Sequence, residues 1–75
     1  MVTAYVLIIA DVGAEKKVVE ELSDLDFVEE ADLLYGEYDI ITKVKIDDVS
    51  KLSEFVLEKI RAIPGVRRTS TLIVA

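Results

Sequence analysis

Val2 to Ala10 is an almost unbroken apolar run with β-branched and aromatic members, the pattern of a strand covered on both faces. The period then changes. From Ala14 to Leu25 the apolar positions Ala14, Val18, Leu22 and Leu25 recur at steps of three and four, with Glu15, Lys16, Lys17, Glu20, Glu21 and Asp24 between them. This predicts an amphipathic helix entered at Asp11 to Gly13. Phe27 to Tyr35 reads as a second strand with acids at Glu29, Glu30 and Asp32. After a turn at Gly36, Tyr38 to Ile46 alternates as a third strand. Tyr38, Ile40, Thr42, Val44 and Ile46 share one face, and Asp39, Ile41, Lys43 and Lys45 share the other. Asp47 or Asp48 can cap a second helix whose stripe is Val49, Leu52, Val56, Ile60 and Ile63, with Phe55 beside it, and Pro64-Gly65 ends it. Val66 to Ala75 closes the chain as a fourth strand.

The order β-α-β-β-α-β predicts an α+β fold of the ferredoxin-like type: a four-stranded antiparallel sheet with two helices on one face, in one domain over residues 1–75. Thr3, Tyr5, Leu7 and Ile9 alternate with Val2, Ala4, Val6 and Ile8. Whichever set meets the helices, the opposite set is also largely apolar, and an apolar open face marks an interface. Pairing of two such sheets, in the manner of a dimeric α+β barrel, would bury about 700 Å² per subunit, near half of a standard interface. In the usual strand order of this fold the second and fourth strands are opposite edges. Glu29 and Glu30 then lie on one edge and Arg67 and Arg68 on the other, where they either face a neighbouring subunit's opposite edge or serve as solvated charges that deter aggregation.

Composition sharpens this picture. Seventy-five residues bury only about 60% of their unfolded surface, and the absence of Cys and His removes disulfides and the commonest transition-metal ligands. Self-association is the remaining staple. No apolar run reaches the roughly 18 residues that span a bilayer, and Met1 to Ala10 lacks the basic start of a signal peptide, so a cytoplasmic protein is expected. A net charge of -6 argues against direct nucleic-acid binding, which needs a basic face. The absence of Asn and Gln fits a thermophilic source.

Two polar groups carry candidate chemistry. Tyr35-Gly36-Glu37-Tyr38-Asp39 sets a glycine, two phenols and two carboxylates at a reversal between apolar runs. Glycine permits positive φ and close approach to main-chain amides, the tyrosines give stiff contact surfaces, and Asp39 can hold an ammonium group. A hairpin turn needs much the same residues for structural reasons alone. Glu37 and Asp39 could also do acid-base work or hold a hard cation, against the ordinary reading of solvated surface acids. Thr69-Ser70-Thr71 places three hydroxyls on the last strand, with Thr69 and Thr71 on one side; they can receive a carboxylate, or be ordinary strand residues. Tyr5, Phe27 and Phe55 are expected to pack in the core or on the dimer face. No catalytic group, metal site or cofactor motif is assembled.

Over its full length the chain resembles the RAM domain, the effector-binding module of the Lrp/AsnC family of transcriptional regulators. The resemblance rests on Tyr35-Gly36-Glu37-Tyr38-Asp39-Ile40, which matches the family's Gly-x-Tyr-Asp turn, on Pro64-Gly65-Val66 followed by Thr69-x-Thr71 and an apolar terminus, and less strictly on Val28-Glu29-Glu30. It implies a non-enzymatic module that dimerises through its sheet, with dimers assembling into rings such as octamers and an amino acid bound between dimers. The implied ligand-binding residues are Tyr35, Gly36, Glu37, Tyr38, Asp39, Thr69, Ser70 and Thr71. The family's usual helix-turn-helix domain has no counterpart in the sequence, which looks like the stand-alone form. Such a module would act as an amino-acid sensor, or co-assemble with a full-length regulator. Two alternatives stay open: a small enzyme of the antibiotic-biosynthesis monooxygenase type, which shares the topology, and a purely structural oligomer.

Overall fold

The computed structural model describes residues 1–75. Its elements run β1 (Val2–Ala10), α1 (Glu15–Ser23), β2 (Val28–Leu33), β3 (Ile40–Ile46), α2 (Val49–Phe55), a π-helical segment continuing α2 (Val56–Ile60) and β4 (Val66–Ile73). All strand pairings are antiparallel, in the order β2-β3-β1-β4. The expected βαββαβ topology is therefore present, with β2 and β4 at the edges.

Alternation decides which residues meet the helices. On β1, Ala4, Val6, Ile8 and Ala10 are buried, and their partners across the ladder, Val44, Thr42 and Ile40, are buried with them. Val18 and Leu22 of α1, with Leu52, Phe55, Val56 and Ile60 of the second helix, close this core from one side. Thr42 is its one polar member, and its hydroxyl has no hydrogen-bond partner. The other sheet face exposes Tyr5, Leu7 and Ile9 of β1 in part, with Ile41 of β3 and Leu72 of β4 alongside.

The two helices differ from one another in how they end. Asp48 accepts a hydrogen bond from the Lys51 amide at 2.8 Å, a side-chain N-cap. The stripe expected to continue as α-helix to Ile63 instead widens after Phe55, and the Arg61 amide reaches the Val56 carbonyl at 2.9 Å. The widening keeps Val56 and Ile60 buried while Leu57 turns outward. At the end of this helix Gly65 adopts φ +99°, and a Cβ there would lie 2.9 Å from Ala14 Cβ and 3.2 Å from Val18 Cγ2. Only glycine lets α1 approach so closely.

Several expected boundaries move inward. The first helix occupies Glu15–Ser23 and not Ala14 to Leu25, the second strand Val28–Leu33 and not Phe27 to Tyr35, and the third Ile40–Ile46 and not Tyr38 to Ile46. The fourth ends at Ile73. Phe27 falls outside the sheet, half-exposed, its ring 5.4 Å from that of Phe55 in an edge-on stack.

Each edge strand carries a bulge, and each bulge displaces a charged residue. In β2, Val28 faces Val44 while Glu30 faces Lys43, so Glu29 is the extra residue; it pairs with Lys45 at 3.8 Å. In β4, Arg68 faces Ile9 while Val66 faces Ala10, so Arg67 is the extra residue; it pairs with Asp11 at 3.5 Å. The expected opposition of an acidic and a basic edge thus has a local alternative, since two of its four charges have partners within the chain. Bulges of this kind also blunt an edge against indiscriminate pairing.

Candidate functional site

The turn between β2 and β3 is tied to β1 through Asp39. The Leu34 amide donates to the Asp39 carbonyl at 2.8 Å, and the Asp39 amide to the Ile8 carbonyl at 2.9 Å. The Asp39 carboxylate accepts from the Ala10 amide at 2.9 Å through Oδ2. Asp39 thus continues the β1–β3 ladder beyond the last paired residues, and its Oδ1 has no hydrogen-bond partner in the chain. Gly36 has φ +128° with open space where a side chain would sit. Tyr35 and Glu37 are exposed on either side of it, and Tyr38 is half-buried.

Beneath the turn is an open cleft of about 510 Å³, lined by Leu33, Leu34, Tyr35 and Asp39 on one side and by Gly13, Glu15 and Lys16 on the other. The Gly13 amide donates to Glu15 Oε1 at 2.8 Å, which shapes the entry into α1. Lys16 takes part in none of the chain's ion pairs. The cleft therefore combines an apolar wall, two carboxylates, those of Asp39 and Glu15, each with one oxygen outside the chain's hydrogen bonds, and an unpaired ammonium. Of the lining residues, Tyr35 and Asp39 were candidates from the sequence, whereas Gly13, Glu15, Lys16, Leu33 and Leu34 were not. The two leucines read as interior strand residues and the lysine as an ordinary helix surface.

Thr69 and Thr71 lie elsewhere. Their β1 partners, Ile8 and Val6, are core residues, so both threonines are on the helix face. They line a groove between β4 and the second helix. Ser70, opposite Leu7, is on the other face. Thr69 is aligned through Ile8 with Ile40, the residue after Asp39, and so lies two strands away from it, roughly 10 Å by ordinary strand spacing. The eight candidate residues do not form one pocket in a single chain. They fall in two places on either side of β1, the turn that leads into β3 and the groove beside the edge strand β4, with Ser70 apart from both.

No helix is long and apolar enough to cross a membrane. A family model described as the Lrp/AsnC ligand binding domain matches residues 3–75. An uncharacterized HTH-type transcriptional regulator of Pyrococcus abyssi is 36% identical over 72 residues, 96% of this chain and 46% of that protein. Among solved structures, FFRP-DM1 has a TM-score of 0.96 at 44% identity over 100% of both chains. AsnC of E. coli has a TM-score of 0.91 at 31% identity, over 97% of this chain and 50% of that one. The chain spans about half the length of the curated regulators it matches. A homocitrate synthase of Saccharolobus islandicus is 40% identical over 57 residues, but these are only 12% of the enzyme, leaving most of its length unmatched.

Proposed function

The chain belongs to the Lrp/AsnC ligand binding domain family, and from that membership we propose that it is a non-enzymatic cytoplasmic module that binds a free amino acid between copies of itself. Two copies pair through the open sheet faces, and further pairs assemble around the ligand into a ring such as an octamer. Binding biases that assembly, either as a sensing step in its own right or through co-assembly with a full-length regulator. A ligand acts in this way only by its differential affinity for the two assembly states. The regulators among its relatives support a connection with transcription. The net charge of -6 favours reaching DNA through a partner and not through this surface.

The observation that carries the reading is the separation of the half-sites. An amino-acid zwitterion needs an acceptor for its ammonium and donors for its carboxylate within one small molecule's reach. Asp39 offers the first in the turn that leads into β3, and Thr69 and Thr71 contribute to the second beside the edge strand β4. Both half-sites are open, so the turn of one copy laid against β4 of another completes what one chain leaves divided.

The test is the chemical-denaturation midpoint of the protein with each of the twenty amino acids in turn, alongside its mass in solution. A ligand at a hundredfold its dissociation constant stabilises by about 2.7 kcal/mol if it binds only the native state. One chemical class of amino acid is expected to raise the midpoint and change the mass. A midpoint that no amino acid moves overturns the proposal.

A further inference from the structure

The groove that holds Thr69 and Thr71 has a charge arrangement that the sequence did not disclose. It encloses about 430 Å³, and Arg61 is its one charged lining residue. Arg61 takes part in none of the three ion pairs of the chain. In a protein of net charge -6, a recess without acids around an unpaired guanidinium is a local exception. Beside Arg61 stand the hydroxyl residues Ser53, Thr69 and Thr71, and the remaining wall includes Leu57 and Ile73, both substantially exposed to solvent.

The π-helical segment fixes this arrangement. Its wider turn, closed by the hydrogen bond from the Arg61 amide to the Val56 carbonyl, carries Leu57 and Arg61 to the flank that faces β4. Such widened turns recur at functional sites. A guanidinium presents a planar fork of N–H donors matched to the two oxygens of a carboxylate, and neighbouring hydroxyls can donate to the same group. Nothing lining the groove can neutralise an ammonium.

We infer that this groove receives a monocarboxylate with an aliphatic chain, and that Arg61 holds its carboxylate. The apolar wall of Leu57 and Ile73 takes the chain. Resting on the function proposed above, this makes the effector an aliphatic amino acid whose carboxylate lies on Arg61, leaving its ammonium to the acids of a second copy.

The experiment is calorimetric titration of the intact protein with 4-methylpentanoate, which is leucine without its ammonium, with 3-methylbutylamine, which is leucine without its carboxylate, and with leucine itself. Wild type, Arg61→Gln and Arg61→Lys are compared. The expected result is 4-methylpentanoate binding that weakens roughly tenfold or more in Arg61→Gln, less in Arg61→Lys, with no Arg61-dependent binding of the amine. Failure of 4-methylpentanoate to bind wild type, or equal binding to all three proteins, overturns the inference. Amino-acid binding that is the same in wild type and Arg61→Gln leaves the proposed function standing and removes Arg61 from it. Arg61-dependent carboxylate binding without any amino-acid response does the reverse.

Discussion

The Asp39 carboxylate accepts a hydrogen bond from the Ala10 amide at 2.9 Å, across 29 positions of sequence. A residue expected to serve a ligand is therefore also a fastener of the turn to β1. Asp39→Ala leaves the amide of the buried residue Ala10 without its acceptor, at a cost of about 1–3 kcal/mol. Asp39→Asn keeps an acceptor oxygen and removes the charge, so it should cost less than Asp39→Ala. Urea midpoints of the two variants check the order. If the order holds, the asparagine variant is the one to use in binding studies.

Gly65 and Gly36 both have positive φ but differ in their surroundings. Gly36→Ala meets no neighbouring atom and carries only the backbone penalty of its φ of +128°, about 1–3 kcal/mol. Gly65→Ala adds a collision with Ala14, just before α1, and with Val18 of α1, and its cost should exceed that of Gly36→Ala by about 1 kcal/mol or more. Denaturation midpoints of the two variants give the comparison directly, and equal losses would contradict it.

The N-cap of α2 is a single side chain. Asp48→Ala removes the acceptor that holds the Lys51 amide at 2.8 Å, for an expected loss of about 1 kcal/mol. Asp47 contacts the Lys51 ammonium at 3.2 Å on the exposed surface, and Asp47→Ala should cost less than half as much, in line with surface ion pairs generally. The same denaturation assay separates the two.

Thr42 lies between apolar neighbours with its hydroxyl unpartnered. Thr42→Val keeps the shape and removes the unsatisfied group, so stability should rise by about 1 kcal/mol. A fall in the midpoint would mean that the hydroxyl makes a contact worth more than its burial costs.

The parts of the fold that one face of a strand or helix dictates were legible in the sequence. β3 alternates as read, Val18 and Leu22 enter the core, Asp48, one of the two aspartates expected as the cap, caps its helix, and β2 and β4 are the edges. The boundaries shift at most element ends, and between β2 and β3 the turn expected at Gly36 takes in Leu34 to Asp39, although the alternation of Tyr38 and Ile40 continues in the sequence. The π-helical segment was not legible, because Val56, Ile60 and Ile63 fit an α-helical stripe equally well. For the candidate site, alternation correctly put Thr69 and Thr71 on one side and Ser70 on the other. It could not say that this side faces the helices, because the apolar sets of β1 are interchangeable on paper. Nor could it foresee Arg61 or Lys16, whose significance lies in the absence of a partner, a property of three-dimensional surroundings alone.

A ligand site that draws on two copies of the chain can be rebuilt by mixing subunits that each lack a different half. Asp39→Asn disables one half-site and Thr69→Val/Thr71→Val the other, each variant on its own losing the amino-acid response. Unfolding and refolding the two together should restore binding at about a quarter of the sites, those formed between an intact turn and an intact β4. Calorimetric stoichiometry gives the number. Recovery of that fraction is the result expected here, whereas a mixture as inactive as its components would mean that each site is built within one chain.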